Sequence, residues 1–233
     1  MNYTFNWNLI FSGQYLEWIL KGFELSISLM VVSSVIAVIV GVCFTFLSLS
    51  RYRVLRFVSQ AYIELCRNIP TLVWIFFFYF VFPALFPQEV SRIINTSPYL
   101  SYWAAIAGLA LSSSGYISEI LRGGVQAVHK EQTSAAYSLG LSKTQMWRYV
   151  IGPQAVRNCF PALVNRLIHN VQNTSLAMTI SVHEIMWATQ QIEAITFHGI
   201  ETMIVATVFF VLMCFFLEFI AKLCERRLMR YAH

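Results

Sequence analysis

Residues 25–50 run for 26 positions without a single charged side chain, and they are built mainly of Val, Ile, Leu and Ser. A helix needs about 20 apolar residues to cross the hydrocarbon of a bilayer, and inside lipid the backbone must satisfy its own hydrogen bonds. This run sets the fold class: an all-α integral membrane protein. The composition agrees, with 58% hydrophobic and only 12% charged residues, where a soluble domain carries about a quarter charged. The mean hydropathy is +0.62. In 233 residues there is room for one transmembrane domain, residues 1–233, and for no sizeable soluble one.

Four more segments are apolar enough to propose as spans. Residues 68–88 are uncharged and framed by Pro70 and Pro83, which predicts a kinked helix. Residues 93–118 form the third, with an apolar core at 99–111. Residues 159–181 form a weaker fourth, and residues 200–223 a fifth, broken chiefly by Glu218. Basic residues alternate between the links. Arg51, Arg53 and Arg56 follow the first span, and Arg122, Lys130, Lys143, Arg148 and Arg157 follow the third. Lys222, Arg226, Arg227 and Arg230 follow the fifth. The link between the fourth and fifth has no Lys or Arg but holds Glu184, Glu193 and Glu201. By the positive-inside rule this predicts five spans, with the N-terminus outside and the C-terminus in the cytoplasm. Residues 7–21 then form an outer interfacial helix, with Tyr15 and Trp18 at the headgroups.

The excess of five positive charges therefore argues for membrane orientation rather than nucleic-acid binding. No basic n-region precedes the first apolar stretch, so a cleaved signal is not expected. Cys43, Cys66, Cys159, Cys214 and Cys224 lack any CxxC or Cys/His spacing and read as small buried hydrophobes, with no metal site.

Residues 134–156, SAAYSLGLSKTQMWRYVIGPQAV, are too polar to span and too patterned to be a plain loop. Ala135, Ala136 and Leu139 share one face of a short helix, and Gly140 suits the left-handed position that ends it. Ser142 and Gln145 form the S-x-x-Q box that opens a second helix. Met146, Trp147, Val150 and Ile151 give that helix an apolar face, and Pro153 is expected to break it. Such a cytoplasmic hairpin either packs under its own spans or docks a soluble partner.

Within the fourth span, Arg166, His169, Asn170 and Asn173 fall at i, i+3, i+4 and i+7, with Thr174 and Ser175 just beyond. A charge inside the membrane costs roughly 2.5–3.5 kcal/mol on insertion scales and generally faces the bundle interior or a cavity. This polar face lines a substrate path, where Arg166 could meet a carboxylate, or bonds to a neighbouring helix or subunit. Glu119 is a second inward candidate, although Arg122 three residues on offers a local ion pair. Glu64 and Arg67 share that spacing. SSSG at residues 112–115, together with His169, raises an intramembrane serine protease as a rival; a channel or scaffold without an ATPase is a third class. The chain has no G-x-x-x-x-G-K-[ST], so ATP phosphates are not bound by that loop here.

The hairpin resembles the EAA loop of ABC-transporter permeases. Ala135, Ala136, Gly140, Val150 and Pro153 fit that pattern, while Ser134 and Gly152 depart from it. Three further stretches, YIELCRNIPTLVWIFFFYFVFP (62–83), GYISEILRGGVQAVHKEQ (115–132) and NTSLAMTISVHEI (173–185), resemble polar amino-acid permeases of the histidine/glutamine/glutamate type. The N-terminal YLEWILKGFELSISL is most similar to the glutamate/aspartate members. The resemblance implies a bacterial inner-membrane importer subunit that is not an enzyme and holds no cofactor of its own. ATP would be bound by a separate ABC ATPase dimer. A second permease subunit, identical or homologous, would complete the path, and an extracytoplasmic amino-acid-binding protein would deliver substrate. Residues 123–157 would be the coupling loop, with Ser134, Ala135, Ala136, Tyr137, Leu139, Gly140 and Leu141 seated in the ATPase. Members of the family often have Lys where Gln172 stands, so the charge pattern of the polar face is shifted here.

Overall fold

The structure, a computed structural model, describes residues 5–230, with side chains to residue 226. Among these residues every regular element is helical. The order is α1 (Trp7–Ile10), α2 (Gly13–Ser48), α3 (Arg53–Asn68) and α4 (Thr71–Phe76). α4 continues through a π turn (Phe77–Val81) and a 3-10 turn (Phe82–Leu85) to α5 (Gln88–Asn95). Next come α6 (Leu100–Gln126), α7 (Lys130–Ser138), α8 (Lys143–Met146), a π turn (Trp147–Ile151) and α9 (Gly152–Asn173). A 3-10 stretch (Thr174–Ile180), α10 (Ile185–Thr196) and α11 (Gly199–Arg230) complete the chain.

α2, α6 and α11 are each long and apolar enough to cross a bilayer, and α3 with the Thr71–Leu85 segment makes a fourth candidate bent by 104°. α9 lies below that threshold of apolarity because of its polar face. The centre is α6, against which α2, α3, α4 and α9 all pack. Its small residues allow this. A Cβ built on Gly108 would lie 2.7 Å from the Ile75 backbone nitrogen, and one on Gly115 2.6 Å from Cys66 Cβ. One on Gly124 would lie 2.7 Å from the Ala155 carbonyl oxygen. Backbones approach closely at such residues, the usual basis of helix association in lipid.

Several expectations are corrected. The separate interfacial helix over residues 7–21 is not present: α1 is four residues long, and from Gly13 the chain is part of α2. Gly13 turns at φ +55°, and beyond it no proline interrupts the helix. At 36 residues, α2 is about 54 Å long and extends beyond the hydrocarbon. The loop expected after the first span is the 16-residue helix α3. Pro153 does not break the hairpin's second helix; it falls in the first turn of α9, where a missing N–H is tolerated. The π turn before it closes on the Gly152 N–H, which donates to the Trp147 carbonyl. A Cβ on Gly152 would sit 2.7 Å from that carbonyl oxygen, so the departure from the loop pattern at this position has a steric reason. Cys43 and Cys224 are exposed rather than buried.

On the side of the bundle where α10 lies, two carboxylates are fully buried. Glu184 caps α10, accepting from the Trp187 and Met186 amides at 2.9 and 3.0 Å and from the Ser26 hydroxyl at 3.3 Å. Glu201 accepts from the Asn6 amide at 2.9 Å and faces His198 Nδ1 at 3.1 Å, fastening the N-terminal segment to α11.

Candidate functional site

The polar face of α9 divides in two. Asn170 is fully buried. Its Oδ1 accepts from Ser113 Oγ at 2.8 Å, and its Nδ2 donates to Ser33 Oγ at 2.8 Å and Ser34 Oγ at 3.0 Å. One amide thus ties α9 to both α6 and α2. Arg166, one turn earlier, donates from Nη2 to Ser113 Oγ at 3.0 Å, and its guanidinium carbon lies 4.1 Å from the centre of the Tyr116 ring. Its Nε is buried and has no hydrogen-bond partner, and no carboxylate pairs with it among the described residues.

The other predicted residues lie differently. His169 is exposed, and Asn173 and Ser175 are half-buried. Thr174 is buried and donates to the Val171 carbonyl at 2.7 Å; Ser175 donates to the Gln172 carbonyl at 2.8 Å. Glu119 is paired with Arg122, whose Nε reaches Glu119 Oε2 at 2.9 Å. Glu64 and Arg67 form no ion pair among the described residues; both are exposed. Arg67 instead lies 5.5 Å from the Tyr116 ring, and its carbonyl accepts from the Tyr116 hydroxyl at 3.1 Å. Tyr116 therefore stands between two guanidinium groups, of α9 and α3. Neither Tyr116 nor the serines of α2 carried a sequence signal, because their roles depend on helices far apart in the chain.

The serine–histidine pairing does not occur. Ser112 bonds to Thr71, Ser113 to Arg166 and Asn170, and Ser114 to Tyr62 and the Leu111 carbonyl, while His169 is exposed and bonds to none of the three.

The second site is the hairpin of α7 and α8. α7 ends in a Schellman motif: the Leu141 amide donates to the Ala136 carbonyl at 3.1 Å and the Gly140 amide to the Tyr137 carbonyl at 2.9 Å. Gly140 takes φ +75° to permit it. Ser142 and Gln145 form the reciprocal capping box. Ala136, Met146 and Ile151 form a small core beneath, packed on Val125 and Val128 at the end of α6. Ser134, Ala135, Tyr137, Leu139 and Gly140 face outward, and Leu141 is half-buried. Leu139 is 81% exposed. A capped knuckle packed on the end of the central helix thus presents an uncovered patch.

Residues 33–230 match the family described as binding-protein-dependent transport system inner membrane component. The chain is 30% identical over 223 residues to the arginine transport system permease protein of Bacillus subtilis (strain 168), covering 95% of this chain and 98% of that one. It is 28% identical over 236 residues to the glutamate/aspartate import permease protein of Escherichia coli (strain K12), covering 97% and 96%. Among solved structures, a chain described as an amino acid ABC transporter with histidines superimposes with a TM-score of 0.81 at 28% identity, covering 97% of this chain and all of that one.

Proposed function

The chain belongs to the family of binding-protein-dependent transport system inner membrane components, and from that premise we propose that it is the membrane-spanning permease subunit of an ATP-driven importer of acidic amino acids. Such subunits are not enzymes; ATP is hydrolysed on a separate chain. In this reading five spans form the path: α2, the segment running from the α3–α4 bend to Leu85, α6, α9 with its 3-10 extension, and α11. The N-terminus lies outside and the C-terminus in the cytoplasm of a bacterial inner membrane, as the placement of Arg and Lys supports. A second permease subunit completes the path, an extracytoplasmic binding protein loads it, and an ATPase dimer receives the outward patch of the knuckle, from Ser134 to Leu141. Closure of the ATPase pair moves the knuckle as one body and tips the helices joined to it.

The observation that carries the substrate reading is Arg166. A half-buried guanidinium without a carboxylate partner is costly in lipid. Its stacking on Tyr116 offsets part of that cost and leaves Nε unbonded. A substrate carboxylate would supply both the missing acceptor and the missing charge. Thr174, Ser175, Asn173, His169 and Glu119 border the same path, while Asn170 holds its walls in register.

The test is uptake of radiolabelled glutamate into vesicles holding the full complex. Glutamate or aspartate should be accumulated when ATP is present and should compete with each other. Arg166→Ala should lower uptake at least tenfold while the ATPase still co-purifies. Accumulation of arginine in place of glutamate, or loss of the assembled complex in the variant, would contradict the proposal.

A further inference from the structure

The first half of α3 has no role in the path or in the knuckle, yet its surface is strongly patterned. Ser59, Ile63 and Cys66 form one buried stripe. Ser59 donates to the Phe44 carbonyl at 2.7 Å, the Tyr62 ring stacks on Phe44 at 3.6 Å, and the Tyr62 hydroxyl bonds Ser114 at 2.6 Å. These contacts fix the rotation of the helix about its axis. As a result Val54 and Phe57 are each 72% exposed and Val58 50%, all turned away from the bundle. Arg51, Arg53 and Arg56 are exposed beside them. Arg51 bonds and stacks on the neighbouring Tyr52, and none of the three has a carboxylate partner among the described residues. The first acidic residue of α3 is Glu64, eleven positions after Arg53.

The geometry says where this face lies. Thr71–Leu85 is bent by 104° from α3, so where that segment crosses the bilayer, α3 lies close to the membrane plane. Its Ser59 meets α2 at Phe44, about one turn from the end of that helix at Ser48. A helix lying flat at the lipid boundary with an apolar face and flanking guanidinium groups is the arrangement that holds acidic phospholipid: apolar side chains enter the acyl boundary and cations reach the phosphates.

We propose that α3 is a binding surface for acidic phospholipid of the phosphatidylglycerol class. Arg51, Arg53 and Arg56 hold headgroup phosphates while Val54, Phe57 and Val58 insert among the acyl chains. The inference needs only that the chain spans a membrane; it does not depend on the substrate or on the ATPase. A soluble protein on this face would have to cover Val54 and Phe57 at the level where lipid meets them.

The full chain, reconstituted in phosphatidylcholine vesicles with spin-labelled phosphatidylglycerol or spin-labelled phosphatidylcholine, reports which lipid it immobilises. Phosphatidylglycerol should be preferred by roughly fivefold or more at low salt, the effect of about one arginine at an anionic surface. That preference should shrink near 1 M salt, where screening acts within about 3 Å. R51Q/R53Q/R56Q should bring it to parity, R51K/R53K/R56K should keep it, and K143Q/R148Q on the hairpin should leave it unchanged. No preference in the native chain, or a preference that survives the glutamine triple, would overturn the proposal. So would a glutamine triple that keeps its lipid preference but releases a bound ATPase, since the face would then belong to a protein.

Discussion

At Gly108 a single hydrogen atom sets how close two helices come. The added Cβ would meet the Ile75 backbone nitrogen at 2.7 Å and Cα at 2.8 Å, and backbone cannot rotate aside as a side chain can. Gly108→Ala should therefore push α4 from α6 and cost about 1–3 kcal/mol, the usual range for overpacking, visible as a lower melting temperature in detergent. Asn170 illustrates the polar counterpart. Asn170→Leu removes three hydrogen bonds and leaves Ser33, Ser34 and Ser113 to find other partners. Buried hydrogen bonds between membrane helices average about 0.6 kcal/mol each, so a loss near 2 kcal/mol is expected in the same assay. Glu184, in the link outside the spans, adds a pH dependence. Burial pushes its carboxyl up to about 7, against the two amides and the Ser26 hydroxyl that pull it down. A folded-state value above the ordinary 4.5 means that the stabilisation is complete below about pH 4.5 and is lost as pH rises through about 7. The native protein should be less stable at pH 8.5 than at pH 5.5 by about 2 kcal/mol, read as a lower melting temperature, and Glu184→Gln should remove the carboxylate's share of that difference. At this scale the sequence disclosed what is local. The i, i+3 pairing of Glu119 with Arg122 and the i, i+4 spacing of Arg166 and Asn170 are visible in one helix. Ser33 and Ser34, more than 130 positions before Asn170, are not.

Among the elements, the knuckle was the most legible, because helix caps are local chemistry. Gly140 ends α7 and Ser142 opens α8, as their residue types predict. What lay beyond reach was the continuity after it: Pro153 reads as a stop, but a π turn and Gly152 carry the helix past it. α3 was missed for a related reason. Arg51, Arg53 and Arg56 mark a loop in a count of charges, whereas the buried stripe of α3 shows only against α2 and α6. Two outcomes follow from the knuckle. Nothing lies within 4 Å of a Cβ at Gly140, so Gly140→Leu acts through backbone strain of about 1–2 kcal/mol and not through a clash. The protein should remain in the membrane, with fewer amino acids taken up per ATP hydrolysed in reconstituted vesicles. Ser142→Ala removes the cap of α8 and should cost about 1 kcal/mol, seen as faster amide exchange over residues 143–146.

For the whole molecule, hydropathy alone gave the all-helical membrane class and the spans seen as α2, α6 and α11, while the family match gave the kind of protein. The central α6 packs against α2, α4 and α9 and holds the knuckle on Val125 and Val128, so in the proposed function a push at the knuckle would reach the residues around Arg166 through one continuous helix. Transport as proposed requires that mechanical link to a separate ATP-hydrolysing chain. The most direct measurement places a photo-crosslinking amino acid at Leu139 in the complex assembled in native membranes. A covalent adduct with the ATPase subunit is expected, formed on the cytoplasmic side and changed in yield by ATP. An adduct only with extracytoplasmic proteins, or none with an ATPase that is present in the complex, would contradict that link.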